Sequence, residues 1–234
     1  MTAPWTYAAI WESVAAAVPL EPAFIQGDAR LGWREFDAKA NGLAAEFLAA
    51  GLGHQAKVAV YTQNCAEYLT AYFAAFKAGM VPINVNYRYA SEEIAYLLDN
   101  ADAEAVVFEA CYADVIAPVR AGLPLVKRWI AIARDGEAIP AWAIDYADIA
   151  PAPETTVAPW GRSADDMMFI YTGGTTGMPK GVMWRQGDLL GKGNYGANPL
   201  TGQPGLESPE SAGAVALAMP SRPRAMIAPP LMHG

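Results

Sequence analysis

The chain has 234 residues, 53% hydrophobic and 17% charged, enough apolar material for a packed core, so disorder of the whole chain is excluded. Sixteen basic against 24 acidic side chains give a net charge of -8; that sign argues against a nucleic-acid partner but not against a nucleotide, which needs only one local anion site. No stretch of about 18 apolar residues runs free of charge, so nothing reads as a membrane span, and Cys65 and Cys111 sit in no metal-ligand or disulfide spacing, which suits a reduced, cytoplasmic setting.

The N-terminal run MTAPWTYAAIWESVAAAV lacks a basic leader and is interrupted by Glu12, so it reads as an amphipathic helix and not as a signal peptide. Phe36, Ala40, Leu43, Phe47 and Leu48 recur at helical spacing, with Gly51 as the stop. His54 falls in the turn that follows. KVAVY (Lys57 to Tyr61) reads as a buried strand. Cys65 opens a second helix, a position that can lower a thiol pKa, but packing of a small side chain there is the favoured reading. That helix carries Tyr68, Leu69, Tyr72, Phe73 and Phe76 as packing residues and stops at Gly79. VPIN (Val81 to Asn84) is the next strand candidate. Ser91 is placed to cap a third helix, with Glu92 and Glu93 against the positive end of its dipole. AVVF (Ala105 to Phe108) and WIAIA (Trp129 to Ala133) are two further strands, with a helix over Asp114 to Ala121 between them.

Strand and helix alternate at the pitch of a parallel sheet, and the apolar runs do not alternate with polar residues, as expected of strands buried on both sides. The fold class is therefore α/β, parallel-rich sheets flanked by helices on both faces. Residues 1–133 form a first α/β part. Residues 134–165 carry scattered prolines and read as a connecting segment. Residues 166–234 form a third part. There MMFIYT is a strand running into a glycine-rich loop, 191–208 is again rich in Gly, Pro and Asn, Ser208-Pro209 opens a last helix that ends at Pro220, and AMIAPPL (Ala225 to Leu231) reads as one more strand.

The segment with the most chemistry is YTGGTTGMPKGV, Tyr171 to Val182. Gly173, Gly174 and Gly177 let backbone amides approach an anion. Thr172, Thr175 and Thr176 add hydroxyl donors, Lys180 adds a positive charge, and Pro179 stiffens the chain before it. A preceding strand puts the loop at a strand's C-terminal end, where open parallel sheets bind ligands. It is not a Walker A loop, which needs Gly-Lys-Ser/Thr opening a helix; here Lys180 is flanked by Pro179 and Gly181. A plain Gly/Thr turn between two strands is the structural alternative, and the coincidence of glycines, hydroxyls, proline and lysine in twelve residues argues against it.

YTGGTTGMPKGV resembles the phosphate-loop signature of the adenylate-forming superfamily, which includes acyl-CoA synthetases, firefly-type luciferases and peptide-synthetase adenylation domains. Gly173 stands where the family pattern usually has Ser, which removes a hydroxyl and keeps the backbone donor. The resemblance extends upstream through LGWREFDAKANGLAAEFLAAGLG and KVAVYTQNCAEYLTAYFAAFKAGMVPINVNYRYASEEIAYLLDNADAEAVVF, and downstream to PPLMHG, where His233 matches an aromatic or His position beside the acyl pocket. It implies an acid–thiol ligase: a carboxylic acid, magnesium-bound ATP (Mg2+) and CoA react in two steps through an acyl-adenylate. Thr172 to Gly177 would wrap phosphate, Lys180 would assist pyrophosphate departure, and His233 would line the carboxylate end. Trp184-Arg185-Gln186 resembles a variant among ligases for fatty or steroid-type acids. The motifs for adenine and ribose, the hinge and the C-terminal domain have no counterpart, so the sequence reads as an N-terminal fragment, inactive alone. Two alternatives remain: an adenylation domain that loads a carrier protein, and a non-catalytic nucleotide-binding module.

Overall fold

A computed structural model describes residues 3–173, 177–193, 202, 204–221, 224–227 and 229–233. In chain order the elements are α1 (Tyr7–Ala17), β1 (Pro22–Gln26), β2 (Ala29–Gly32), α2 (Trp33–Ala49), β3 (Lys57–Tyr61), α3 (Ala66–Lys77), β4 (Val81–Asn84), α4 (Ser91–Asn100), β5 (Ala103–Glu109), α5 (Ala113–Ile116), β6 (Arg128–Ile132), β7 (Ile144–Asp145), β8 (Met167–Thr172), β9 (Lys180–Arg185), α6 (Gln186–Gly193) and α7 (Ser211–Ala218). Among the described residues, seven strands form one sheet in the order β7-β6-β5-β3-β4-β8-β9. Neighbours pair in parallel except β8 and β9, which form an antiparallel hairpin.

The uninterrupted apolar runs have the expected consequence. Val58, Ala59 and Val60 on β3 and Val106, Val107 and Phe108 on β5 are buried, alternate residues facing opposite sides. On one side Trp11, Phe36, Phe47, Phe73 and Phe76 from α1, α2 and α3 cover the sheet; on the other, Ile94, Leu97 and Leu98 of α4 pack against Phe108 and Trp129. An α/β sheet with helices on both faces is what the alternating pattern implied.

Residues 134–165 hold β7 at the sheet edge and then cross the outside of α2 and α3. Ala152 N–H donates to Ala38 O at 2.9 Å and the Trp160 indole donates to Ala78 O at 2.9 Å. This crossing explains a glycine inside a helix. A Cβ built on Gly42 would lie 2.1 Å from the carbonyl oxygen of Ala150. Gly42→Ala is therefore expected to lower stability by about 1–3 kcal/mol, as overpacking against backbone does, although alanine is the better helix former. Urea unfolding checks this; an unchanged midpoint would mean that the crossing gives way freely.

Four local expectations need correction. Ser91 does not cap α4: the helix begins at Ser91, Ala90 is the cap, its N–H donates to Glu93 Oε2 at 3.0 Å, and the Ser91 hydroxyl donates to Val115 O at 2.7 Å. The helix over Asp114 to Ala121 is one turn, Ala113–Ile116, followed by a separate 3-10 turn at Arg120–Gly122, because Pro118 cannot continue the hydrogen-bond ladder. The last helix starts at Ser211 and not at Ser208-Pro209, which form a turn closed by the Ser211 hydroxyl on Ser208 O at 2.7 Å; it does stop before Pro220. Finally, the described part of 225–231 forms no strand. Pro229 and Pro230 supply no N–H to a ladder, and Leu231–His233 closes as a 3-10 turn. Residues 194–201 and 203 of the glycine-rich stretch 191–208 lie outside the described residues, and its first three, 191–193, finish α6.

Candidate functional site

β8 delivers the glycine-rich loop at the carboxyl-end side of β4, its parallel neighbour. The β8–β9 register pairs Tyr171 with Gly181 and Thr172 with Lys180, so Lys180 stands opposite Thr172 at the root of the loop. Thr172, Gly173, Gly177 and Lys180 are all exposed, whereas Pro179 is buried. A Cβ on Gly177 would meet nothing within 4 Å, and one on Gly173 would meet only the Tyr89 hydroxyl, at 3.7 Å. The described part of the loop is thus open to a ligand. Gly174, Thr175 and Thr176 lie outside the described residues.

The loop's base is held firmly. The Tyr171 hydroxyl donates to Asn100 Oδ1 at 2.9 Å, and burial raises its pKa above the ordinary tyrosine range. The ring crosses Gly181 so closely that a Cβ there would lie 2.8 Å from it. Below, Asp166 is 1% exposed and accepts from His54 Nε2 at 2.7 Å, Gln55 Nε2 at 3.0 Å and Ser163 N–H at 2.9 Å. His54 is an exposed turn residue, as its sequence setting suggested, but it also braces the start of β8.

His233 is exposed on the 3-10 turn that follows Pro229-Pro230. Three side chains carry that turn. Asn64 Oδ1 accepts from Leu231 N–H at 2.6 Å while its Nδ2 donates to Pro229 O at 3.2 Å. The Tyr68 hydroxyl donates to Leu231 O at 3.2 Å. Asn84, at the carboxyl end of β4, bonds both Tyr171 and Met232 through one side chain. The glycine-rich loop and the His233 turn therefore leave from one point of the sheet. Sequence reasoning missed Asn64 and Asn84, and took Tyr68 for packing alone. A polar residue closing the apolar run VPIN was the available signal for Asn84.

The secondary candidates make structural contacts. Cys65 is buried, and burial pushes its thiol up to about 11, so the helix start does not activate it. A thiol-alkylating reagent at pH 8 is expected to modify exposed Cys111 first and to leave Cys65 untouched until the protein unfolds; mass spectrometry of the intact protein shows the order, and early loss of Cys65 would contradict the packing. Trp184 is half-buried on β9, Arg185 pairs with Asp165 and Asp188, and buried Gln186 accepts from Tyr7 N–H at 3.0 Å. Two adjoining cavities of about 300 and 440 Å³ share Lys39, Glu67 and Tyr146 and include none of the predicted site residues. Among the described residues no group of three or more His, Cys, Asp or Glu gathers to hold a metal, and no helix is long and apolar enough to cross a membrane.

A family model described as AMP-binding enzyme matches residues 11–207. The chain is 35% identical to the medium-chain acyl-CoA ligase Mig of Mycobacterium avium, an alignment that takes in 100% of this chain and 44% of the relative. It is 39% identical to the medium/long-chain-fatty-acid–CoA/3-oxocholest-4-en-26-oate–CoA ligase of Mycobacterium marinum, covering 93% of this chain and 40% of that protein. Its fold superposes on a Mycobacterium tuberculosis fatty acyl CoA synthetase with a TM-score of 0.65 at 25% identity, over 78% of this chain and 35% of the other. The chain thus spans less than half the length of the curated relatives it matches.

Proposed function

This chain belongs to the AMP-binding enzyme family, and on that premise we propose that it supplies the phosphate-gripping part of an ATP-dependent ligase that joins a carboxylic acid to CoA. The observation that carries this reading is the exposed loop of Gly173, Gly177 and Lys180 on the β8–β9 hairpin, beside the His233 turn. In the first step a carboxylate oxygen attacks the α-phosphorus of ATP, and the bond to pyrophosphate breaks. In the second, the CoA sulfur attacks the acyl carbon, AMP leaves, and the thiol proton passes to solvent.

The nucleophiles belong to the substrates, so the chain's task is to position and to neutralise. Thr172 to Gly177 offer backbone N–H groups and hydroxyls to the β- and γ-phosphates. Lys180 places its ammonium against the leaving pyrophosphate, where developing charge makes a fixed cation most effective. His233 faces the carboxylate end of the acyl site. Magnesium would enter with the nucleotide. The names of the relatives favour fatty or steroid-type acids as the acyl donor, and these ligases make free CoA the preferred acceptor over a carrier protein. The setting proposed is cytoplasmic.

The test is pyrophosphate exchange into ATP by the intact protein, with magnesium and a panel of medium-chain, long-chain and steroid acids. Exchange that depends on one class of acid is the expected result. Absence of exchange with every acid would remove the ligase reading.

A further inference from the structure

Asn84 is 2% exposed and ends β4. β4 and β8 pair at Ile83 and Phe169, and where the two strands part the Asn84 side chain takes over the ladder. Its Oδ1 accepts from Tyr171 N–H at 2.7 Å, and its Nδ2 donates to Tyr171 O at 2.9 Å. That pair of bonds imitates one peptide unit of a neighbouring strand. The second hydrogen of Nδ2 goes to Met232 O. All three bonds are buried, so each would be costly to leave unmade. Tyr171 lies one residue before the exposed loop root at Thr172; Met232 lies one residue before His233.

We propose that Asn84 is the positioning residue that sets the phosphate loop and the His233 turn in register with each other, so that phosphate grip and acyl placement depend on one side chain. The inference rests on the nucleotide reading of the loop given above. Only a planar amide serves here. Aspartate keeps the shape but, when ionised, turns acceptor oxygens toward two carbonyls. Protonated, it regains one donor, and burial between carbonyls favours that form. Alanine leaves Tyr171 N–H, Tyr171 O and Met232 O without partners.

Two measurements on wild type, Asn84→Ala and Asn84→Asp decide it: amide hydrogen exchange over 171–182 and 229–233, and affinity for magnesium-ATP between pH 6 and 8. In the variants at pH 8, exchange should quicken in both segments together while β3 and β5 stay protected. Magnesium-ATP affinity should fall about tenfold or more. The aspartate variant should recover affinity as the pH falls, a profile that wild type and the alanine variant lack; protection of β3 and β5 that holds across the same pH range separates it from the pH-dependent loss of overall stability that a buried carboxylate can also cause. Should alanine prevent folding, the pH profile of the aspartate variant carries the test. Unchanged exchange in either segment, or an aspartate variant with wild-type affinity at pH 8, would overturn the proposal. If wild type itself bound no magnesium-ATP, the nucleotide reading would fall, and the exchange comparison would still decide whether Asn84 joins the two segments.

Discussion

Replacing Lys77 with alanine is expected to lower stability by about 3–5 kcal/mol, the cost of taking a fully buried cation from between two partly buried carboxylates and leaving its volume empty. Lys77 is fully buried; its Nζ lies 2.5 Å from Glu12 Oε1 and 2.8 Å from Asp37 Oδ1. It also sits 4.4 Å above the centre of the Phe73 ring. Arg162 reaches Glu12 with two bonds of 2.6 and 2.8 Å. One lysine thus ties α1 and α2 to the end of α3, and the arginine adds the connecting segment. Lys77→Met keeps most of the volume and removes the charge. It should cost nearly as much, and adding Glu12→Gln should restore part of the loss. Urea unfolding measures all three; a loss under about 1 kcal/mol for Lys77→Ala would show that water replaces the ammonium without strain on the fold.

The same network predicts an acid limit. Burial pushes the Glu12 carboxyl up, but the Arg162 hydrogen bond and the Lys77 charge outweigh it and hold its pKa below the ordinary value of 4.5. Its contribution to stability is complete above that unfolded value and drains as the pH falls through the lower folded one. Glu12→Gln should flatten the stability profile in that acid window and lower stability at neutral pH.

Lys180→Ala is expected to remove about 1.5–3 kcal/mol of phosphate interaction, the range for a hydrogen bond to a charged group. In the intact protein that is roughly a tenfold to 150-fold slower adenylation. Lys180 is exposed at the root of the hairpin, so truncation should spare the fold, and thermal unfolding should not move. Lys180→Arg should retain part of the rate, because charge persists while geometry changes. Lys127, paired with Glu104 at 2.7 Å at the start of β6, is the control for net charge, and Lys127→Ala should leave adenylation unaltered. Equal effects from both lysines would mean that overall charge, not the loop, sets the rate.

The sheet was legible because its strands are locally distinctive. KVAVY, AVVF and WIAIA are uninterrupted apolar runs between helical repeats, and such runs make strands buried on both faces. β9 carries no such mark: KGVMWR is largely exposed and is a strand only because β8 pairs with it. The reverse error at 225–231 has the same root. AMIAPPL is apolar enough for a strand, but Pro229 and Pro230 supply no N–H to a ladder, its described residues join no sheet, and Leu231 opens a 3-10 turn. The glycine-rich loop could be singled out because its distinctive residues are packed into twelve consecutive positions. Its supports could not. Asn84 acts on residues 87 and 148 positions away, Tyr68 on one 163 away and Asn64 on one 167 away, and no local pattern encodes such distances.

Amide hydrogen exchange over 171–182, with and without magnesium pyrophosphate, asks most directly whether this hairpin holds polyphosphate. Slowed exchange in the loop and its β9 root, lost in Lys180→Ala, with β5 and β6 unaffected, is the expected result. Protection that is absent, or that falls instead on the cavities around Glu67 and Tyr146, would contradict it.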